Sequence, residues 1–170
     1  VLLDARAEAE VRALVVEQDA RIALAGAAQV APALRSLGHR VTVIDTAEGL
    51  LDAERESEVL DPSIRREPPS PEHLRELARR EDLPRLIAEP ALAGADLVFL
   101  VLHGDQGEGG SLQALLDLAG LRYTGSDALG SGLAMDKEVG KRLLAQAGLP
   151  QAPWVRWPAE EPDLEPLGLP

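Results

Sequence analysis

The chain has no cysteine, so disulfides and thiolate metal sites are excluded, and the redox compartment stays open. Aromatic residues make up only 2% of its 170 residues, namely Phe99, Tyr123, Trp154 and Trp157. A core must therefore be built from Leu, Val, Ile and Ala, which suits a parallel sheet covered by Ala/Leu-rich helices. Long apolar runs are also missing. The longest, Leu97 to Leu102, is far too short to span a bilayer, and no signal-peptide pattern opens the chain. A membrane partner is not expected, and a cytoplasmic location is the default. Positive charge is scarce: 17 Lys and Arg stand against 29 Asp and Glu, a formal net charge of −12. An acidic surface repels phosphate backbones, so nucleic acid is not an expected partner either. Plain solubility is the simplest reading of that charge.

What is present supports one ordinary domain and the beginning of a second, with 45% hydrophobic residues and a mean hydropathy of −0.07. The chain opens on Val1, in a strand-like Val1-Leu2-Leu3, and closes on Gly168-Leu169-Pro170 with no terminal helix. It is expected to be a fragment.

Apolar runs alternate with helical patterns. Ile22, Leu24, Val30, Leu34 and Leu37 recur at spacings that one helix face gathers, and Gly38 supplies the stop. The β-branched run Val41-Thr42-Val43-Ile44 reads as a strand. Leu97 to Leu102 is continuous and apolar, as expected of a central strand buried on both faces. Between them, Glu48 to Pro71 is charged and rich in proline, and predicts a helical turn followed by a loop. Ser70-Pro71-Glu72 then opens a helix running to Arg80, and Leu83 to Ala88 forms another turn. Further on, Ser111 to Ala119 predicts a helix ended by Gly120, and Leu121 to Thr124 a short strand. Asp136 caps a helix from Lys137 to Ala147, and Trp154-Val155-Arg156-Trp157 is strand-like within a proline-rich tail. This order is that of an α/β, doubly wound parallel sheet, with ligands expected at the carboxyl ends of its strands.

One segment carries chemistry. His103-Gly104-Asp105-Gln106-Gly107-Glu108-Gly109-Gly110-Ser111 follows the buried strand directly and leads into a helix. Glycines there let the backbone approach a small ligand and aim N–H groups at it, and the next helix start favours an anion. The plainer alternative is a glycine-rich strand-to-helix turn.

These residues resemble the D-alanine–D-alanine ligase family, ATP-grasp enzymes with His-Gly, two variable residues, then Gly-Glu-Asp/Asn-Gly, a variable residue, an aliphatic and Gln. The chain reads His103-Gly104-x-x-Gly107-Glu108-Gly109-Gly110-x-Leu112-Gln113, departing only at Gly109. The likeness continues through Tyr123-Thr124-Gly125-Ser126, Met135-Asp136-Lys137, Lys141-Arg142-Leu143-Leu144 and Ala147-Gly148-Leu149-Pro150. It covers roughly residues 96 to 155 without a gap.

The resemblance implies a Rossmann-like (pre-ATP-grasp) layer over residues 1–133, then the first helix and strand of an ATP-grasp lobe over 134–170. It implies that ATP phosphorylates the carboxylate of one D-alanine and that the amine of a second attacks the acyl phosphate. By position, Lys137 resembles the lysine that reaches the ATP phosphates; otherwise it is an exposed helix lysine. His103 and Glu108 resemble the residues lining the pocket of the first D-alanine; a merely structural His–Glu pair remains open. Ser126 is expected to cap the helix at Asp127, Tyr123 to pack, and Trp154 and Trp157 to anchor a linker strand. The resemblance also implies a homodimer, a magnesium site with its ligands beyond residue 170, and no catalysis by this fragment alone.

At its beginning the chain departs from the family. There a first strand runs into Gly-Gly and Ser-x-Glu-x-Glu-Val-Ser, whereas Asp4 to Arg21 holds no glycine and forms a longer expected loop. The family's ammonium-binding glutamate falls on Arg21 in an ungapped alignment, and on Asp19 after a two-residue slip, with Glu17 nearby. A helix from Glu8 onward, its acids simply solvated, is the alternative for this stretch. The altered loop and Gly109 keep two other readings open: a ligase for a different amino acid or hydroxy acid, and an inactive homologue serving as a binding module.

Overall fold

The computed structural model describes residues 12–17, 21–60, 82–156 and 167, with single positions 70, 72, 75, 76 and 79. Its strands are β1 (Arg12–Glu17), β2 (Arg40–Asp45), β3 (Gly49–Leu50) and β4 (Leu97–Leu100), ordered β3-β2-β1-β4 in one sheet. β1 pairs in parallel with β2, from Arg12↔Arg40 to Glu17↔Asp45, and with β4, from Ala13↔Leu97 to Val16↔Leu100. β3 is antiparallel to β2.

Two apolar clusters cover the sheet. Neighbouring strand residues point to opposite faces, and Val43 and Ile44, both fully buried, divide accordingly. Val43 meets Ala27 and Ala31 of helix α1 (Arg21–Ser36), where small side chains let helix and sheet approach closely. After the short α2 (Ala53–Val59), the chain turns to the other face. Ile44 and Val98 pack there with Leu83 and Leu86 of α3 (Leu83–Ile87) and Leu92 of α4 (Pro90–Ala93). A one-turn helix α5 (Asp105–Glu108) then leads to α6 (Ser111–Leu118), which brings Leu112 and Leu116 to this second cluster. Helices α7 (Ala128–Met135) and α8 (Lys137–Gln146) follow, each capped by an aspartate, Asp127 and Asp136.

Ion pairs staple the strand ends and helices. The Arg12 guanidinium donates to both Asp96 oxygens, at 3.1 and 3.2 Å, and the Arg12 N–H adds a bond of 2.9 Å. These bonds join the starts of β1 and β4 and hold the Asp96 carboxyl below the usual carboxylate range. Arg35 of α1 grips Glu56 of α2 with two nitrogens, at 2.5 and 2.9 Å, and the Val41 carbonyl at 2.8 Å. One side chain thereby ties α1, β2 and α2 together.

The helix expected from Ile22, the strand at Val41–Ile44 and the helices at Ser111 and Lys137 are present, and the helical positions Glu72, Arg75, Glu76 and Arg79 fit the helix expected after Pro71. The start of the chain is different. Over Arg12–Glu17 the expected loop or helix is replaced by the central strand. Pairing with β2 along the whole run and with β4 from Ala13 to Val16 satisfies its backbone, and this non-local gain overrides the helical propensity of its Ala, Leu and Glu. Residues 18–20 alone then join β1 to α1. Val1–Leu3, Asp19 and Trp157 lie outside the described residues.

Three smaller expectations are also corrected. The strand at Leu121–Thr124 shrinks to one bridge, Val98↔Tyr123, because the Thr124 hydroxyl, not a backbone carbonyl, accepts the Leu100 N–H at 3.0 Å. Asp127, not Ser126, caps α7, its carboxylate accepting the Gly130 N–H at 2.7 Å. Residues 154–156 form no strand, since no neighbouring backbone edge pairs with them among the described residues.

Two measurements test this architecture. Leu112 is fully buried, so Leu112→Ala should lower the free energy of unfolding by about 2–5 kcal/mol in urea titration. Asp96→Asn should lower Tm at neutral pH. The contribution of a depressed carboxyl is present above its unfolded pKa and lost as pH falls through its folded one, so the two proteins' Tm values should converge in strong acid.

Candidate functional site

β4 delivers the chain to the carboxyl edge of the sheet, and buried Leu102 anchors its exit. Gly104 then adopts φ 97°, a left-handed conformation that side-chain-bearing residues rarely take, and reverses the chain into α5. The turn closes on itself twice. The Glu108 N–H donates to the Gly104 carbonyl at 2.8 Å, and the Glu108 carboxylate reaches back to accept the Gly104 N–H at 2.9 Å through Oε2. Its other oxygen, Oε1, lies 3.9 Å from His103 Nδ1. That is beyond hydrogen-bond reach, so the two side chains are neighbours and not a bonded pair. Both side chains are about half exposed, at 51% and 49%, so the pair meets solvent and can meet a ligand.

Beneath the pair the backbone is packed tightly. A Cβ on Gly107 would lie 2.5 Å from that of Leu102, and one on Gly110, at φ 95°, would strike the Ala128 carbonyl oxygen. Gly132 in mid-α7 lies close against the Gly109 carbonyl. Small residues thus let α7 rest directly on the turn. Gln113, in the first turns of α6, is buried and donates from Nε2 to the Gly107 carbonyl at 2.8 Å.

The structure brings His103 and Glu108 together. Lys137 lies at the start of α8, where its exposed Nζ donates to the Ala134 carbonyl at 2.8 Å. Asp136 breaks the helix between them, and Lys137 opens α8 just past it, after α7 ends at Met135. Further along, the Lys141 ammonium sits 5.8 Å from the centre of the Trp154 ring, beside a cavity of about 590 Å³ lined by Leu149, Pro150 and Gln151. A second cavity, of about 300 Å³, opens at the amino ends of the strands between Arg12, Arg40 and Pro90, away from the turn.

Gln113 is the residue whose structural part the sequence did not disclose. The available signal was a polar residue between Leu112 and Leu116, on the buried side of an apolar helix. The Thr124 hydroxyl that accepts the Leu100 N–H of β4 left no comparable signal.

Arranged in this way, the turn offers a carboxylate and an imidazole over a glycine-lined backbone, next to a helix start. Residues 18–126 match the family described as D-ala D-ala ligase N-terminus. The chain belongs to that family. It is 37% identical over 130 residues to a D-alanine–D-alanine ligase of a Synechococcus strain, an overlap of 76% of this chain and 30% of the relative. It is 49% identical over 100 residues to a D-alanine–D-alanine ligase of Mycolicibacterium gilvum, across 55% of this chain and 27% of the relative. The chain thus spans under a third of the length of these D-alanine–D-alanine ligases. Its α/β fold is similar to that of the Bacillus anthracis D-alanine–D-alanine ligase complexed with ATP, with TM-score 0.63 and 20% identity over 95% of this chain and 43% of that one. The Coxiella burnetii ligase gives TM-score 0.58 and 25% identity over 87% of this chain and 44% of that one.

Gly110→Ala should cost about 1–3 kcal/mol of stability, because a left-handed backbone and a closed contact with α7 are both violated. Urea denaturation followed by circular dichroism measures it.

Proposed function

We propose that the intact protein to which this chain belongs joins two D-alanines at the expense of ATP, and that the turn at 103–110 forms part of the first D-alanine's site. The supporting observation is the Glu108 carboxylate, folded back on Gly104 with Oε1 toward His103 in a half-exposed turn. Such a carboxylate can receive an ammonium directly or through a neighbour, and His103 can orient it. The first D-alanine would present its carboxylate to ATP, and the second amine would displace phosphate from the acyl phosphate. The chain's part is positioning and charge compensation.

Lys137 is our candidate for the nucleotide phosphates, a point charge on a flexible stem. It must leave the Ala134 carbonyl to act. In this reading the sheet belongs to a Rossmann-like, doubly wound pre-ATP-grasp layer over 1–133, with 134–170 opening the ATP-grasp lobe. A homodimer and a cytoplasmic location complete it; no described helix is long and apolar enough to cross a membrane. Magnesium would be bound elsewhere in the protein. Among the described residues no group of three or more His, Asp or Glu could hold a metal.

One observation favours a second reading. With β1 ending at Glu17 and α1 opening at Arg21, residues 18–20 leave no room for a glycine-containing loop of the family's length. An ammonium site there is either reduced to Asp19 or replaced, which fits a ligase for a different amino acid or hydroxy acid.

Phosphate release by the intact protein, screened over D-alanine, other amino acids and hydroxy acids, separates the two. D-alanine-dependent release is expected, and a different preferred substrate would move the assignment. Glu108→Gln should raise KM for the first D-alanine by about tenfold or more. Lys137→Ala should weaken ATP binding in calorimetry, and an unchanged Kd would remove Lys137 from the site.

A further inference from the structure

The turn that carries Glu108 is held from below by a side chain with no part in the reading so far. Gln113 is 5% exposed, and its Nε2 donates to the Gly107 carbonyl, the peptide immediately before Glu108. Its Oε1 is buried and meets no hydrogen-bond partner. An apolar side chain would fill the same place without stranding an acceptor, so packing alone does not account for an amide here. Nor can the amide be turned around, since Oε1 would then face the Gly107 oxygen. Gly107 lies so close to Leu102 that even a Cβ there would come within 2.5 Å of the leucine's own. A fixed carbonyl, gripped by a buried donor, sets the plane from which Glu108 departs.

We propose that Gln113 is a positioning residue for the amino-acid site, orienting Glu108 through the Gly107 carbonyl. This rests on the reading of His103 and Glu108 given above. It requires a donor at this position, not merely volume. Leucine fills the space and cannot donate. Glutamate donates only while its carboxyl carries a proton, and burial among apolar side chains favours that protonated form.

The experiment uses the intact protein with initial-rate kinetics for D-alanine and ATP. Gln113→Leu should raise KM for the first D-alanine by about tenfold, leave KM for ATP within about twofold, and keep or raise Tm. Gln113→Glu should recover first-site KM relative to wild type as pH is lowered from about 8.5 to about 6, and lose it again on return. The proposal is overturned if both variants keep wild-type KM for D-alanine, or if the KM values for D-alanine and ATP rise together. It is also overturned if Gln113→Glu keeps a raised first-site KM at every pH from about 8.5 to about 6, including where Gln113→Leu fails to fold. Wild-type protein without D-alanine-dependent turnover sinks the functional reading itself, whereas normal wild-type kinetics with unmoved variants sinks only the assignment of Gln113.

Discussion

The architecture depends on one strand being held from both sides. β1 has β2 along one edge and β4 along the other, and the Arg12–Asp96 bonds align the beginnings of β1 and β4. Without that central run, β2 and β4 have no common partner, and the two apolar clusters lose the partition between them. The chain separations involved are large, so the arrangement is one of long-range contacts, with loop closure to be met before they form. Placing strands in register also fixes where β4 ends. The end of β4 is where the glycine turn begins.

The periodic parts of the fold were legible. Ile22 to Leu37 has helical spacing with Gly38 as its stop, and α1 runs from Arg21 to Ser36. Val41 to Ile44 is β-branched, and it lies within β2. β1 was not legible, because Arg12-Ala13-Leu14-Val15-Val16-Glu17 carries as much helical as strand propensity, and only pairing with residues far along the chain decides between them. The single bridge at Tyr123 reflects a different obstacle. A threonine hydroxyl substitutes for a ladder carbonyl, and no pattern of apolar and polar residues encodes that exchange.

At the candidate site, sequence alone located the turn because glycine, histidine and glutamate are chemically conspicuous there. It could not supply the fold-back of Glu108 onto Gly104, nor the buried grip of Gln113. Both depend on a left-handed Gly104 and on the approach of α7 through Gly109 and Gly132. The bond from Lys137 to the Ala134 carbonyl was likewise hidden, since the motif does not say which backbone oxygen its ammonium meets. The shortness of the link between β1 and α1 follows only once β1 is known to end at Glu17.

The contact between Lys137 and Ala134 has a consequence for α7. A helix leaves its last carbonyls without intrahelical donors, and the ammonium of Lys137 supplies one of them. Any anion that draws this lysine outward also uncovers that carbonyl, so the C-terminal turn of α7 must rehydrate or fray. Because the same helix leans on the turn through Gly132 against Gly109 and, at its first residue, Ala128 against Gly110, loosening its C-terminal end would slacken the support of the turn. The two ends of α7 thus share a single mechanical fate.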